Sequence, residues 1–142
     1  MTTPDPEKKT SRPHKIIGVG VIWNQEKQIL IDRRLPTGSM ANLWEFPGGK
    51  MEEGETIQDC IVREIREELG IKIAVREHLI TIDHTYSHLR VTLSVYHCDY
   101  LDGTPQAIEC AEFRWVNLDD LEHFEFPAAN RQIITALKHL LN

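Results

Sequence analysis

Residues 49–71, GKMEEGETIQDCIVREIREELGI, predict a loop followed by a helix over Ile57–Leu69. Thr56 is a suitable N-cap residue with Asp59 three positions later, and Gly70 can adopt the left-handed conformation that commonly ends a helix. Four apolar side chains recur at helical spacing and form the face that we expect to be buried: Ile57, Ile61, Ile65 and Leu69. The stretch therefore encodes one helix with a start signal, a stop signal and a buried face.

Three glutamates, Glu64, Glu67 and Glu68, lie along one flank of this apolar stripe. Carboxylates three or four residues apart on a helix repel each other, by roughly 0.2–0.5 kcal/mol per exposed pair, so this arrangement costs stability unless a cation binds. Oxygen ligands without His or Cys favour Mg²⁺, with Mn²⁺ as a substitute, over zinc. The simpler interpretation of this segment alone is a solvated acidic face, with Arg63 and Arg66 further round the helix, facing water.

The spacing across the whole stretch separates these two interpretations. Gly49 is followed after five residues by Glu55, and after seven more by REIREELGI at residues 63–71. This pattern matches the Nudix box at every defined position, so the chain resembles the Nudix hydrolases. The resemblance implies an enzyme that cleaves a nucleoside diphosphate linked to another group, with Mg²⁺ or Mn²⁺ as its cofactor.

The resemblance also implies which residues hold the metal. In the family the glutamates of the box bind the catalytic metals, so the expected ligands are three side chains and one carbonyl: Glu64, Glu67, Glu68 and Gly48. A further acid, from a loop near the strand that contains Trp115, often acts in the family as a general base or an extra ligand. Glu109 matches that position best, and Glu112 is the alternative.

Other residues around the box are expected to support the chemistry. Arg63 carries a planar guanidinium that can orient a carboxylate, and Glu55 is placed to receive it. Ordinary surface ion pairing is the alternative for this pair. Lys50 and the backbone N–H groups of the turn at residues 47–49 could contact the phosphates, while solvent exposure is the alternative for Lys50.

Three segments outside the box resemble the MutT-like branch of the family: RR at residues 33–34, MANLWEFPGGK at 40–50 and FPAAN at 126–130. This resemblance implies hydrolysis of 8-oxo-dGTP to 8-oxo-dGMP and pyrophosphate, which prevents oxidative mutagenesis. The nucleotide-binding residues that it implies are Arg34, Ser39, Glu45, Phe46, Pro47, Gly48 and Asn130. Ser39 departs from the pattern, which has a histidine there, and this difference could alter base or sugar preference.

Asn130 has a side chain that could distinguish the oxidised base. In 8-oxoguanine N7 carries a hydrogen while O6 remains an acceptor, so one amide could accept from N7–H and donate to O6. Unmodified guanine has an acceptor at N7, and such a mismatch is worth roughly 1–3 kcal/mol per bidentate contact. N-capping of the last helix is the alternative for Asn130. Phe46, Tyr86 or Trp44 could stack on the base, with core packing as the alternative for all three.

The remaining sequence predicts an α/β or α+β domain at residues 15–142, after a polar, disordered tail at residues 1–14. Strands are predicted at residues 16–23, 28–34, 71–75, 79–86, 89–98 and 113–116, a short helix at 118–121 and a closing helix at 130–141. The closing helix is expected to bury Ile133, Ile134, Leu137, Leu140 and Leu141. This order fits a mixed sheet between helices, and the Nudix resemblance implies an α/β/α sandwich.

Composition narrows the partners and the location. No apolar run approaches the ~20 residues needed to cross a bilayer, and residues 1–14 lack the apolar core of a signal peptide, which predicts a cytoplasmic protein without a membrane partner. A net charge of −6 argues against polymeric nucleic acid as a partner. The three cysteines show no CxxC spacing, which argues against a disulfide framework and a zinc site. We expect a monomer that binds a small nucleotide.

Two other functions stay open on the sequence. One is a different Nudix specificity, for an unmodified dNTP, a dinucleoside polyphosphate or a nucleotide sugar. The other is a non-catalytic module that reads base lesions, because MutT-like folds also serve DNA glycosylases in that role. Such modules tend to lose the acids of the box, whereas this chain has all of them.

Overall fold

A mixed seven-stranded sheet organises the part of the chain that this computed structural model describes, residues 13–140. The elements, in chain order, are β1 (His14–Trp23), β2 (Ile29–Arg33), β3 (Trp44–Glu45), β4 (Gly48–Lys50), α1 (Ile57–Leu69), β5 (Lys72–Tyr86), β6 (Leu89–Asp102), β7 (Glu112–Val116), a 3₁₀ helix (Leu118–His123) and α2 (Ala128–Leu140). The predicted tail, residues 1–14, lies outside the described range except for Pro13 and His14, and His14 already belongs to β1.

The sheet places β1 at its centre. The strands follow the order β3-β2-β1-β6-β5, with β4 paired to β1 and β7 paired to β2. β1 and β6 run parallel, and every other pair is antiparallel. On the edge of β1 away from β6, Trp23 pairs with β2, whereas residues 17–19 pair with β4. β4 therefore brings Gly48 and the first glycine of the box, Gly49, to the middle of the sheet, in contact with α1.

Helix α1 has the bounds and caps that the sequence predicts. The Thr56 hydroxyl oxygen accepts a hydrogen bond from the Asp59 N–H at 3.1 Å. Gly70 has a φ of 69°, and its N–H donates to the Arg66 carbonyl at 2.9 Å. The residues that the helix buries are Cys60, Ile61, Ile65, Glu68 and Leu69. This face packs on one side of the sheet, in a cluster that includes Ile22, Leu30 and Cys98.

Helix α2 and the 3₁₀ helix cover the opposite side of the sheet. Ile133, Ile134 and Leu137 of α2 are buried there, as predicted, together with Leu121 of the 3₁₀ helix. The prediction for Leu140 is wrong, because its side chain is exposed at the last turn, and Leu141 lies outside the described residues. Helix, sheet and helix form the predicted α/β/α sandwich. Within residues 13–140 no helix is long and apolar enough to span a membrane.

Two predicted strands, at residues 71–75 and 79–86, form one continuous strand, β5. Its pairing with β6 shifts register between Val75 and His78 and again between His78 and Ile80. The polar residues at 76–78 indicate a break on sequence grounds. Instead they occupy β-bulges, which place extra residues in one strand without ending it.

The predicted turn at residues 47–49 is also wrong, because Gly48 and Gly49 belong to β4. A Cβ built on Gly48 would overlap the backbone carbonyl of Gly18 on β1. Glycine is thus required here for the close approach of two strands rather than for a change of direction.

Candidate active site

A cleft of about 360 Å³ opens beside β1 and β4 and contains most of the predicted site residues. Those that line it are Arg34, Ser39, Glu45, Phe46, Gly48, Glu68, Tyr86, Glu109 and Asn130. The predicted residues outside its lining are Pro47, Lys50, Glu55, Arg63, Glu64 and Glu67. The cleft therefore joins most of the residues implied for nucleotide binding to three of the implied metal ligands, Gly48, Glu68 and Glu109, while the remaining acids of the box do not line it.

Glu68 projects from the buried face of α1 into the acidic part of this lining. Its side chain is only 8% exposed. Burial, and after it the neighbouring carboxylates of Glu45 and Glu64, raise the pKa of the Glu68 carboxyl to about 9, against an opposing contribution from Arg34. Glu68 is therefore a carboxyl group that holds its proton at neutral pH unless a cation replaces it.

Glu109, and not Glu112, reaches the cleft. The Glu68 carbonyl accepts hydrogen bonds from the N–H groups of Ile108 and Glu109, at 3.1 and 3.3 Å, which fixes the loop against α1. Glu112 lies in β7 instead and forms ion pairs with Arg33 and Arg114. Of the two acids that the sequence left open, Glu109 lines the cleft and Glu112 does not.

Arg63 is the centre of an ion-pair network behind the cleft. It donates to the two carboxylate oxygens of Glu55 at 2.6 and 2.9 Å, so the predicted contact is present. Arg63 also donates to Glu64 at 2.9 Å and to Glu67 at 3.1 Å. The expectation that Arg63 faces water is wrong, because these contacts leave its side chain 24% exposed. Its hydrogen bonds lower the pKa of Glu55 to about 2.

Lys50 contributes through its backbone, since its carbonyl accepts a hydrogen bond from Arg63 at 3.1 Å. Lys50 is exposed, which agrees with solvent exposure, the alternative to phosphate contact. Arg63 therefore ties the end of β4 to α1, so that the glycine strand and the acidic helix face keep a fixed relative position.

Gly49 has a side-chain neighbour that explains why this position is glycine. A Cβ built on Gly49 would overlap the carboxylate of Glu64, so the Glu64 side chain lies directly on the β4 backbone. The Cys60 thiol donates to the Gly49 carbonyl at 3.4 Å. Burial raises the pKa of Glu64, and Arg63 opposes that rise. The first glycine of the box thus makes room for a glutamate of the box.

Asn130 lies in the first turn of α2 and is not its N-cap, because the helix begins at Ala128. The Asn130 Oδ1 accepts a hydrogen bond from the Phe46 N–H at 3.1 Å, which fixes the orientation of the amide. Arg34 donates to Glu45 at 2.9 Å. A second bond, from Arg34 to the Ser39 carbonyl at 3.0 Å, holds the loop at the cleft mouth.

The three aromatic candidates for base stacking occupy different environments. Phe46 is 2% exposed and stacks on Phe126 with ring centroids 5.4 Å apart. Trp44 is also buried, at 8% exposed, and meets Phe124 edge to face with ring centroids 5.0 Å apart. Core packing therefore accounts for both rings. Tyr86 is half-buried on the cleft wall, which leaves it as the candidate for contact with a base.

Asp32 is the residue of this site that the sequence analysis missed. It is fully buried in β2, and in the described part of the chain neither of its carboxylate oxygens has a hydrogen-bond partner. One oxygen each of Asp32, Glu45 and Glu68 lie within 4.8 Å of one another. Burial is the largest cause of a raised pKa at Asp32. A signal existed in the sequence, since an aspartate in the apolar run ILIDR is out of place unless it has a role.

Comparison with known proteins identifies the family. A family model described as a NUDIX domain matches residues 18–136. The chain belongs to the Nudix family. It is 36% identical over 124 residues to an 8-oxo-dGTP diphosphatase of Escherichia coli K12, covering 87% of this chain and 96% of that protein. It is 31% identical over 122 residues to a CTP pyrophosphohydrolase of the same organism, covering 86% and 90%.

The fold agrees with solved Nudix structures. The crystal structure of a MutT protein from Methanosarcina mazei Go1 superposes with a TM-score of 0.84 and covers 93% of this chain and 98% of that one. At 24% identity this likeness concerns the fold alone. The predicted Nudix membership, the MutT-like resemblance and the mixed-sheet sandwich are confirmed.

Nudix hydrolases act with a divalent cation, and the described residues fit one. The cleft lining offers carboxylate and carbonyl oxygens, without His or Cys, which suits a hard divalent ion. The oxygens of the buried Asp32 carboxyl have no hydrogen-bond partner among residues 13–140. A divalent ion would give these acids the positive charge that the surrounding side chains do not provide.

The raised pKa values predict that the metal-free Nudix protein loses stability as the pH rises. The folded state binds a proton at Glu68 between its ordinary pKa of 4.5 and about 9, whereas the unfolded chain does not. The unfolding free energy therefore falls with pH across this window. In EDTA we expect the melting temperature, followed by circular dichroism, to drop by at least about 5 °C from pH 5 to pH 9.

A Glu68→Gln variant is the control for this pH effect, because it removes the titrating group and keeps the shape of the side chain. Its melting temperature should fall less over the same pH range, and Mg²⁺ should reduce the fall in the wild type. Parallel pH profiles for the two proteins in EDTA would contradict the assignment of the effect to Glu68.

Proposed function

We propose that this chain hydrolyses 8-oxo-dGTP to 8-oxo-dGMP and pyrophosphate, and so removes the oxidised nucleotide before it enters DNA. The observation that carries the proposal is the lining of the cleft, because Asn130 and Tyr86 line it together with Glu68 and Glu109. The E. coli 8-oxo-dGTP diphosphatase, aligned over 96% of its length, supports this substrate.

The metal in this proposal is Mg²⁺, with Mn²⁺ as a substitute. Its proposed ligands are the side chains of Glu64, Glu67, Glu68 and Glu109 and the carbonyl of Gly48. A bound divalent ion stabilises charge on phosphoryl oxygens and lowers the pKa of a bound water. The contact of Glu64 with the β4 backbone supports its assignment as a ligand. Glu67 is 49% exposed, and its ion pair with Arg63 positions its carboxylate.

The protein side chains have distinct tasks in the proposed reaction. Water attacks an internal phosphorus, a new P–O bond forms, and the bridging P–O bond breaks to release pyrophosphate. A carboxylate must accept the proton of that water, and Glu68 and Glu109 line the cavity in which it must lie. Arg63 keeps Glu64 and Glu67 in place during this step.

Recognition of the oxidised base is assigned to Asn130. Because the Phe46 N–H can only donate, it fixes Oδ1 on its own side and leaves Nδ2 as the donor of the amide. The carbonyl oxygen has a second lone pair for N7–H of 8-oxoguanine, while Nδ2 can donate to O6. Unmodified guanine would present a lone pair to Oδ1 and lose this contact.

Replacing Asn130 with alanine should reduce the preference for the oxidised nucleotide. We expect the ratio of kcat/KM for 8-oxo-dGTP to kcat/KM for dGTP to fall about 10-fold, because one bidentate base contact is lost. Steady-state rates of pyrophosphate release with each nucleotide measure the ratio.

Asn130→Asp is the matched variant, because it keeps an oxygen for the Phe46 N–H and removes the donor for O6. The ratio should not fall in this variant, because its carboxylate still accepts from N7–H and O6 is common to both bases, but kcat/KM should fall for both nucleotides. If Asn130 served only to hold Phe46, Asn130→Asp would keep the wild-type kcat/KM for both nucleotides, and Asn130→Ala would lower both equally.

The E. coli CTP pyrophosphohydrolase makes an unmodified nucleotide the second candidate substrate. Turnover of 8-oxo-dGTP, dGTP and CTP by the wild-type protein separates the two. Equal rates for 8-oxo-dGTP and dGTP would contradict the main proposal, and a preference for CTP would favour the second. The absence of Mg²⁺-dependent pyrophosphate release from every nucleotide would favour a lesion-reading module.

We also propose that the protein acts as a monomer on a free nucleotide in the cytoplasm and not on polymeric nucleic acid. Its formal charge of −6 supports the last point, because phosphate contacts along a nucleic acid need a basic surface. Light scattering of the purified protein tests the oligomeric state, and a mass of twice 16.4 kDa would contradict it.

A further inference from the structure

We infer that Asp32 forms an inner divalent-cation site together with Glu45 and Glu68, of which only Glu68 belongs to the Nudix box. The inference rests on the proposed function and deepens it, since it adds a side chain of β2 and one of β3 to the metal site. It concerns where a cation binds and which residues bind it, whichever nucleotide the enzyme prefers.

The first argument is the burial of Asp32 without a partner. The preceding residues of β2, Ile29, Leu30 and Ile31, are fully buried and apolar. Asp32 nonetheless has an exposure of 0%, and both of its oxygens lack hydrogen bonds within the described residues. A carboxylate in such a place requires a proton or a cation.

The second argument is the arrangement of oxygens around that carboxylate. The sheet register places Asp32 opposite Glu45 on β3, and α1 brings Glu68 over both. Their three oxygens lie within 4.8 Å of one another. Ligands bound to one Mg²⁺ at ~2.1 Å lie at most about 4.2 Å apart, so small side-chain rotations suffice to bring all three onto one ion.

The third argument is charge. Arg34 pairs with Glu45 at 2.9 Å, and within residues 13–140 no Lys, Arg or His forms an ion pair with Asp32 or Glu68. The three carboxyl groups therefore have one cationic side chain, Arg34, to balance their negative charge. Because Glu45 and Glu68 line the cleft, a hydrated ion entering from the cleft would meet them first and then reach Asp32.

The direct test is Mn²⁺ binding to full-length protein free of metal and nucleotide. Asp32→Asn keeps the shape of the side chain and removes the carboxylate. We expect its Kd for Mn²⁺, from electron paramagnetic resonance of the free ion and from calorimetry, to rise at least ~10-fold. Asp102→Asn, at an exposed position of β6, is the matched control and should bind Mn²⁺ as the wild type does.

An unchanged Kd in Asp32→Asn would overturn the inference and would mean that Asp32 is a buried protonated acid. Thermal unfolding adds a reading that does not depend on activity. Without metal, Asp32→Asn should melt at or above the wild-type temperature, because an amide can donate to the neighbouring carboxylates, and Mn²⁺ should raise its melting temperature less. Should Asp32→Asn fail to fold, Glu45→Gln provides a second test of the same site. A wild-type Kd for Mn²⁺ in Glu45→Gln would also overturn the inference.

The inference and the proposed function can fail separately. If the wild type binds Mn²⁺ through Asp32 but does not hydrolyse 8-oxo-dGTP, the substrate assignment is wrong and the cation site stands. If the wild type hydrolyses 8-oxo-dGTP and Asp32→Asn binds Mn²⁺ with unchanged affinity, the inner site is wrong and the function stands.

Discussion

Replacement of Glu68 by glutamine is expected to lower kcat for 8-oxo-dGTP at least ~10²-fold while the protein remains folded. Glu68 is the acid of the box that both lines the cleft and lies beside the buried Asp32. Glutamine has the same shape but no negative charge, so it cannot hold a divalent cation or accept a proton from water as a carboxylate does. Pyrophosphate release at saturating nucleotide and Mg²⁺ measures the change.

Stability provides the internal control for this variant. The pKa of about 9 means that ionising Glu68 in the metal-free fold costs free energy, so Glu68→Gln should melt at a higher temperature than the wild type at pH 9 in EDTA. Glu26→Gln, in the exposed turn after β1, should keep the wild-type kcat and the wild-type melting temperature. A slower enzyme that is also more stable cannot owe its loss to unfolding. An unchanged kcat would remove Glu68 from the mechanism.

The bounds and caps of the helix of the box could be predicted because their signals are local, although Ile57, expected on its buried face, is only half-buried. The hydroxyl of Thr56, the positive φ of Gly70 and the apolar stripe all act within one segment of chain. Nothing in that segment depends on which strand lies next to which. The same holds for the family assignment, since the spacing of the box is a property of consecutive residues.

The surroundings of that helix depend on distant segments, and there prediction was weaker. Asp32 becomes part of the site only when the register of β2 and β3 sets it opposite Glu45 and α1 adds Glu68. On sequence grounds Gly48 and Gly49 indicate a turn. In the fold, Gly48 lies against the Gly18 carbonyl, which leaves no room for a side chain. A strand register and a close backbone approach are tertiary facts that a single stretch of sequence does not contain.

The surroundings of Arg63 also depend on distant segments, and replacing Arg63 is expected to have the second large effect on the rate. On the helix alone its side chain points toward water, but the loop before α1 brings Glu55 onto it, and it then holds Glu64 and Glu67 as well. Arg63→Lys keeps the charge and loses the planar fork. We expect kcat for 8-oxo-dGTP to fall about 10- to 100-fold, because residues that orient metal ligands usually contribute that much.

The dependence of the rate on Mg²⁺ distinguishes positioning from simple folding support. A lysine ammonium is a point charge, so it cannot keep Glu55, Glu64 and the Lys50 carbonyl bound together, and half-maximal activity should require more Mg²⁺ than in the wild type. Arg66→Lys, at an exposed position of the same helix, should keep both the wild-type kcat and the wild-type Mg²⁺ requirement. A lower kcat in Arg63→Lys with an unchanged Mg²⁺ requirement would mean that Arg63 stabilises the loop without orienting the acids. Because the two arginines lie three positions apart on one helix, the comparison isolates the contacts of the guanidinium from its charge.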